Sequence, residues 1–340
     1  MAGACVFSHL ISLGIAATDS TAVCAPGTNP TAIFEPAGPA ATHLSAVIWL
    51  VLGITAAIGV VVLTLLGVAI VKGRRPAGLP AGTEPTQVFG SNQVELAWTV
   101  VPTVIVFLLT LVTVRVIRDV DLVDMPDGAL RVQVIGHQWW WEYRYPDLGV
   151  VTANELVVPV GTPVWLEVES ADVAHSWWVP RLAGKRDVIP NYQTNTWFQA
   201  DQAGTYLGQC AEYCGTEHAG MLLRVDAVDD AAFESWTAAQ RAPASAPPSA
   251  IAMRGRAVFE SLACATCHTV SGVSDGLFGP DLSHVASRAT LGSGVIDFSE
   301  DNLRRWIDNP QDIKPGCNMP SLNLTPDDLT AVVAYLMELR

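Results

Sequence analysis

The sequence predicts a multidomain membrane protein: a two-helix transmembrane hairpin, then an all-β sandwich, then a small all-α domain. Three observations carry this prediction. Two uncharged apolar runs stand in the first third of the chain, β-branched residues and Trp alternate with polar residues through the middle, and helical periodicity returns after a Pro- and Ala-rich stretch. Half of the 340 residues are hydrophobic while the formal net charge is −14, so apolar and charged residues must be segregated into membrane spans and an acidic soluble part. Such an acidic chain is a poor match for phosphates, which excludes nucleic acid as a partner and suits a basic protein instead.

Residues 1–24 carry an apolar stretch from Ala4 to Ala17 followed by small residues, and resemble a secretory signal that lacks the usual positive start. Cys24 stands in a poor version of a lipoprotein cleavage context. The hairpin is expected over residues 40–118. Its first span, Leu44 to Val71, has 28 residues without a charge; its second, Leu96 to Val114, has 19 and contains Pro102, which a membrane helix tolerates. Lys72, Arg74 and Arg75 lie in the connection, and short loops rich in Lys and Arg stay in the cytoplasm, so both ends of the hairpin should face outward. Strands expected at Arg131–Ile135, Gln138–Tyr145, Glu155–Pro159, Pro163–Glu169, Thr196–Gln199 and Gly220–Val225 give a small sandwich over 120–232. Pro243, Pro247 and Pro248 among Ala and Ser mark a semi-rigid linker at 242–251. Helical patterns at Met253–Leu262, Asp301–Asp308 and Pro326–Leu339 define the third domain, 252–340.

Four of the seven cysteines fall in two tight pairs with His nearby, the spacing of ligands and not of a disulfide framework. The first pair lies in Cys210-Ala-Glu-Tyr-Cys214-Gly-Thr-Glu-His218-Ala-Gly-Met221. Two thiolates, an imidazole and a thioether this close make a soft site, which selects copper over hard cations. A mononuclear blue-copper centre needs one Cys. A second, four residues on, can direct both sulfurs at one point, where bridging thiolates hold two coppers that share the charge of one transferred electron. His175, in Ala-His-Ser-Trp-Trp-Val-Pro, supplies the second imidazole. Zinc and a Cys210–Cys214 disulfide are the other readings: structural zinc usually takes CxxC spacing without Met, and exported domains form disulfides.

The second pair is Cys264-Ala-Thr-Cys267-His268, the CxxCH of covalent c-type haem attachment, with Cys264 and Cys267 on the porphyrin vinyls and His268 as proximal ligand. Gly279-Pro280 follows at a distance suited to backing the haem. Met319 is the expected sixth ligand, with His284 as its competitor. A thioether opposite His raises the reduction potential and closes the iron to oxygen, so this haem carries electrons. Cys317 and His137 receive no role.

On the two spans and the Cys210–Met221 loop, residues 40–230 resemble subunit II of haem-copper cytochrome c oxidases, and with the CxxCH domain appended the whole is similar to the cytochrome c-fused, caa-type bacterial oxidases. The resemblance implies a cupredoxin-like sandwich and a cytochrome c domain. It implies a binuclear CuA centre bridged by Cys210 and Cys214, with His175 and His218 on one copper each and Met221 and the Glu212 backbone carbonyl as weak ligands. It also places the Glu212 carboxylate at a magnesium or manganese ion shared with subunit I, and makes Trp139 the electron entry point, with Trp140 and Trp141 left to packing. Glu95, at the start of the second span, matches a carboxylate near a proton-uptake route, although an ordinary helix-start carboxylate also fits. The family's charged pair around an Ile-Pro turn reads here as Lys185-Arg-Asp187-Val-Ile-Pro190-Asn, close but not identical.

The expected function is that of an enzyme subunit with no catalytic residue of its own. An external cytochrome c or other donor reduces the haem, the haem reduces the copper pair, and the electron passes to subunit I, where oxygen is reduced to water with proton pumping. Subunit III and membrane lipid are further expected partners, and the expected location is a bacterial cell (inner) membrane with the copper and haem domains on the outer face. Nitrous oxide or nitric oxide reductase components and a membrane-tethered copper carrier are the alternatives. Two spans argue against the soluble nitrous oxide enzyme, and a one-electron haem argues against a carrier.

Overall fold

The computed structural model describes residues 31–340 apart from 75–77, 79, 81, 83, 85, 86, 88, 89, 122, 123 and 245–248. The expected leader with Cys24, the basic residue Arg75 and the linker prolines Pro247 and Pro248 lie outside the described residues.

Helices α1 (Pro39–Lys72) and α2 (Asn92–Val120) are, among the described residues, long and apolar enough to cross a membrane. Each outruns the uncharged stretch that announces it. Pro39 begins α1, where its missing N–H is no loss. With 34 residues at about 1.5 Å each, α1 is roughly 50 Å long, more than the ~30 Å of a hydrocarbon layer. Its N-terminal end packs on the sandwich, where Ala40, together with Ala37 just before the helix, joins the core. Helix α2 continues through Pro102, and its far end is tied down as well. The Trp197 indole N–H donates to Val120 O at 3.0 Å and Arg186 pairs with Asp121 at 2.9 Å.

Ten strands follow: β1 (Leu130–His137), β2 (Trp140–Tyr145), β3 (Val150–Ala153), β4 (Glu155–Pro159), β5 (Val164–Ser170), β6 (His175–Trp178), β7 (Arg186–Val188), β8 (Thr194–Phe198), β9 (Gly204–Cys210) and β10 (Leu222–Val228). They form two five-stranded sheets, β3-β2-β1-β5-β8 and β4-β10-β9-β6-β7. Alternation drives the assembly, because along β5 and β10 every second side chain is buried and the two buried faces meet. Val132, Val134, Trp141, Leu166, Trp177, Phe198 and Val225 fill the space between, with the Trp177 and Phe198 rings stacked at 5.6 Å. Helix α3 (Asp230–Arg241), capped by Asp229, then lays Trp236 edge-on against Tyr145 at 5.3 Å.

The C-terminal domain is built from α4 (Ala250–Ser261), α5 (Cys264–Cys267), α6 (Glu300–Asp308) and α7 (Pro326–Met337). Ser249, Ser299 and Thr325 start α4, α6 and α7 by accepting a backbone N–H from Ala252, Asn302 and Asp328 respectively. Helices α4 and α7 cross at Gly255, where a Cβ would collide with Ala331 O, and Phe259 meets Tyr335 edge-on at 5.7 Å.

Candidate metal centre and the neighbouring cavity

At one end of the sandwich β9 ends in Cys210, the chain turns through Cys214 and a short 3-10 turn at His218–Gly220, and Met221 leads into β10. Strand pairing adds the remote residue: Trp177 of β6 lies opposite Cys210, which puts His175, at the start of β6, beside the loop. The six donors expected from the sequence gather around the two cysteine sulfurs. The Cys210 and Cys214 sulfurs are 3.7 Å apart; His175 Nδ1 is 3.9 Å and the Glu212 carbonyl oxygen 3.2 Å from Cys210 Sγ; His218 Nδ1 is 3.7 Å and Met221 Sδ 3.8 Å from Cys214 Sγ. The donors of His175, Cys210 and Cys214 all lie within 4.8 Å of one another. His175 and Met221 are fully buried and both thiols nearly so, which keeps the site dry.

Two contacts orient the first imidazole. Asp172 takes the His175 Nε2 hydrogen at 2.8 Å and leaves Nδ1 turned toward the sulfurs. Gly136 clears room for the ring, since a Cβ there would stand 2.9 Å from His175 Cδ2. Burial works to lower the His175 pKa, but the Asp172 and Cys210 partners outweigh it and raise the value. The two thiols share one hydrogen bond, which pulls Cys210 well below its ordinary value and pushes Cys214 well above it. Both cysteines are unpaired, so the disulfide reading is overturned. A set of two thiols, two imidazoles, a thioether and a carbonyl, buried at His175, Cys210, Cys214 and Met221, fits copper, and exceeds the four donors a tetrahedral zinc uses.

Beside this centre lies a cavity of about 410 Å³ bounded by the C-terminal helices and by the tip of the β1–β2 hairpin. Cys264, Cys267, His268 and Met319 all line it. His268 Nδ1–H donates to Pro280 O at 2.8 Å, which leaves Nε2 with its lone pair, and Gly279 lies flat against the ring where a Cβ would collide. Burial holds the His268 pKa below its ordinary value, against the Pro280 bond that raises it, so the ring stays neutral and able to bind a metal. Arg288, half-buried, also lines the cavity and has its Nε–H unpartnered, while desolvation lowers its pKa. A guanidinium in the cavity wall with a spare donor fits a ligand that brings carboxylates, as haem does. His284 is buried but is not among the residues that line the cavity, whereas Met319 is.

Trp139, in the two-residue turn between β1 and β2, touches both places: its ring lines the cavity and its indole N–H donates to Cys214 O at 3.0 Å. Trp140, expected only to pack, also lines the cavity and stacks on His137 at 4.2 Å, because the strand alternation turns it away from the sandwich core. Trp141 is in that core, edge-on to His175 at 5.9 Å. Cys317 lines the cavity beside Gln311. The Glu212 side chain is exposed, and Glu95 lies exposed in the first turn of α2, far along the chain from both centres. Sequence reasoning missed Asp172 and Gln138, whose Nε2 donates to Cys214 O at 2.7 Å. A carboxylate three residues before a candidate ligand His was the available signal for Asp172.

Three family models match the chain: "Cytochrome C oxidase subunit II, transmembrane domain" over residues 31–116, "Cytochrome C oxidase subunit II, periplasmic domain" over 149–228 and "Cytochrome c" over 252–340. Cytochrome c oxidase subunit 2 of Alkalihalophilus pseudofirmus is 32% identical over 318 residues, 92% of this chain and 91% of that protein. The Bacillus subtilis protein of the same name is 31% identical over 279 residues, covering 76% of this chain and 78% of its own. Among solved structures, the periplasmic domain of subunit II of the cytochrome oxidase of Bradyrhizobium japonicum is 34% identical, covering 35% of this chain and 97% of its own with a TM-score of 0.34. Fold and sites together define a membrane-anchored electron-transfer protein with an external domain. The chain belongs to the cytochrome c oxidase subunit II family, in the form with a fused C-terminal cytochrome c domain that characterises caa-type enzymes. Proteins of this family are part of a haem-copper terminal oxidase, an oxidoreductase, and this chain relays electrons there with copper in its sandwich and haem c in its last domain.

Proposed function

We propose that the chain takes electrons from an external cytochrome c or other donor and delivers them to subunit I, where oxygen is reduced to water with proton pumping. In this reading Cys264, Cys267, His268 and Met319 hold the haem, and His175, Cys210, Glu212 through its carbonyl, Cys214, His218 and Met221 hold a binuclear copper centre. When bound, each group accepts one electron and gives it up again at little structural cost. The observation that carries the proposal is the meeting of the six donors beside a cavity lined by all four haem-binding residues.

The chain's own residues supply the conditions. Asp172 fixes the tautomer and direction of His175, and burial of the sulfurs excludes water that would otherwise reorganise with each change of charge. Gln138 and Trp139 both donate to Cys214 O, which pins the loop between the two cysteines from the haem side. That makes Trp139 the natural port for the incoming electron. The Glu212 carboxylate, exposed next to the centre, is available for a magnesium or manganese ion shared with subunit I, and Glu95 for proton uptake. In this reading the chain sits in a bacterial cell (inner) membrane beside subunits I and III, with both cofactor domains on the outer face, and the two long apolar helices support it.

The relay is tested in the assembled oxidase with Cys214→Ser. Donor should still reduce the haem at an undiminished rate, while oxygen consumption should fall at least about 100-fold. Oxygen consumption close to that of the unaltered enzyme would overturn the route through the loop.

A further inference from the structure

We propose that Lys314 and Glu155 latch the C-terminal domain onto the sandwich in one fixed orientation, and that Lys314 is thereby a positioning residue for electron delivery between the two centres. The proposal rests on the reading of the two centres as haem and copper sites. The chain between α6 and Met319 carries Lys314 into the contact between the domains, where only 3% of it is exposed. Its ammonium has three hydrogens and gives one each to Trp139 O at 2.8 Å, Gly220 O at 2.8 Å and Gly292 O at 2.9 Å. Two of those acceptors belong to the sandwich: Trp139 at the hairpin tip, and Gly220 next to Met221.

The reciprocal arrangement stands on the other side of the contact. Glu155 of β4, 8% exposed, accepts the backbone N–H groups of Ala289 at 3.0 Å and Thr290 at 2.8 Å and the Thr290 hydroxyl at 2.7 Å. Each domain therefore buries a charge whose hydrogen bonds are made largely by the other. Neutral contacts lie between the two: Leu222 N–H donates to Ser293 O at 3.2 Å, Ser293 Oγ donates to Leu222 O at 2.8 Å, and Asn318 Nδ2 donates to Gln138 O at 2.9 Å.

Buried charges of this kind contribute little net attraction, because desolvation offsets most of the gain. Their effect is on geometry. Any other docking angle would part the ammonium and the carboxylate from the partners that offset their desolvation. The geometry so fixed is useful. Asn318 is bonded to Gln138, Gln138 is bonded to Cys214 O, and Met319 follows Asn318, so a short run of covalent and hydrogen bonds joins the sixth haem ligand to a copper thiolate.

The test uses the full-length chain in its oxidase, with a specific protease site replacing residues 245–248. After cleavage the C-terminal fragment, tracked by its covalent haem, should remain with the rest on gel filtration. Lys314→Met, which keeps the length and apolar stem, should release it at least about tenfold more readily, and Glu155→Gln should do so to a lesser degree. In the uncut Lys314→Met chain, flash reduction of the haem should show the transfer in which haem loses one electron and the copper pair gains it, with no atom moved. That rate should fall at least about tenfold, by more than the accompanying change in the two midpoint potentials accounts for, while the haem spectrum stays unchanged, a split that a fold defect would not produce. Release of the cut fragment from the unaltered chain would overturn the proposal, as would retention and rates within about twofold in both variants. Should Lys314→Met fail to retain haem, Glu155→Gln decides alone by the same retention criterion. Absence of covalent haem or of copper in the unaltered chain would remove the underlying reading instead, whatever the fragments do.

Discussion

The His175 ring divides its two nitrogens between a carboxylate and a thiol, and that division is what a ligand imidazole requires. Asp172→Ala should leave the fold intact and lower copper affinity by about 10–100-fold in a chelator competition on the full chain. Unchanged affinity would show that strand β6 alone aims the ring. At the other centre, Met319→Leu should open the sixth haem position, so that the reduced variant binds carbon monoxide and the unaltered chain does not. A third residue, Glu142, reports on stability. Burial raises its pKa, but hydrogen bonds from His137 and Arg144 outweigh this and hold it below the ordinary 4.5. A depressed folded value means that its contribution is present above pH 4.5 and is lost as the pH falls through the lower folded value. Glu142→Gln should therefore destabilise the sandwich by about 1 kcal/mol near neutral pH, with the difference closing on acidification in thermal melts. The candidate ligands of the Cys210–Met221 loop could be picked out because soft side chains cluster there. Gln138 and Lys314 could not, since their partners lie in a distant loop or in another domain, up to 175 positions away, whereas Asp172 stands only three residues before His175 and carried a signal that went unused.

Gly255 shows the same dependence of packing on a single residue at the scale of elements. Its lack of a side chain lets α4 rest on the backbone of α7, so Gly255→Ala should force the helices apart and cost about 1–3 kcal/mol, read as earlier loss of the haem band on heating. A variant as stable as the unaltered chain would mean that the pair can slide. The helices of this domain were legible because Ser249, Ser299 and Thr325 cap amphipathic runs, and β5 and β10 because their alternation is regular. The short β3 and β7 carry too few residues for a period to show, and β9 is interrupted by Gly208, which strand pairing needs because a Cβ would collide with Trp178 O. Helix α3 follows the last strand directly and its buried stripe is narrow, so only the tertiary contact of Trp236 with Tyr145 reveals its place.

The whole molecule sets a membrane hairpin, a sandwich and a helical domain in one line of contact, with Trp139 shared by both centres. The net charge of −14 favours a basic donor. Reduction of the haem by such a donor should slow steeply as ionic strength rises past about 0.1 M, where screening lengths fall to about 10 Å, whereas the internal step should not respond. A donor rate indifferent to salt would place recognition on apolar contacts. The central claim is that two coppers and one covalent haem reside in this single chain. Electron paramagnetic resonance of the full-length oxidised protein, with metal and haem analysis of the same sample, tests it most directly. The account predicts hyperfine structure from one unpaired electron shared equally by two coppers, beside one covalent haem; a single-copper signal, or zinc in place of copper, would contradict it.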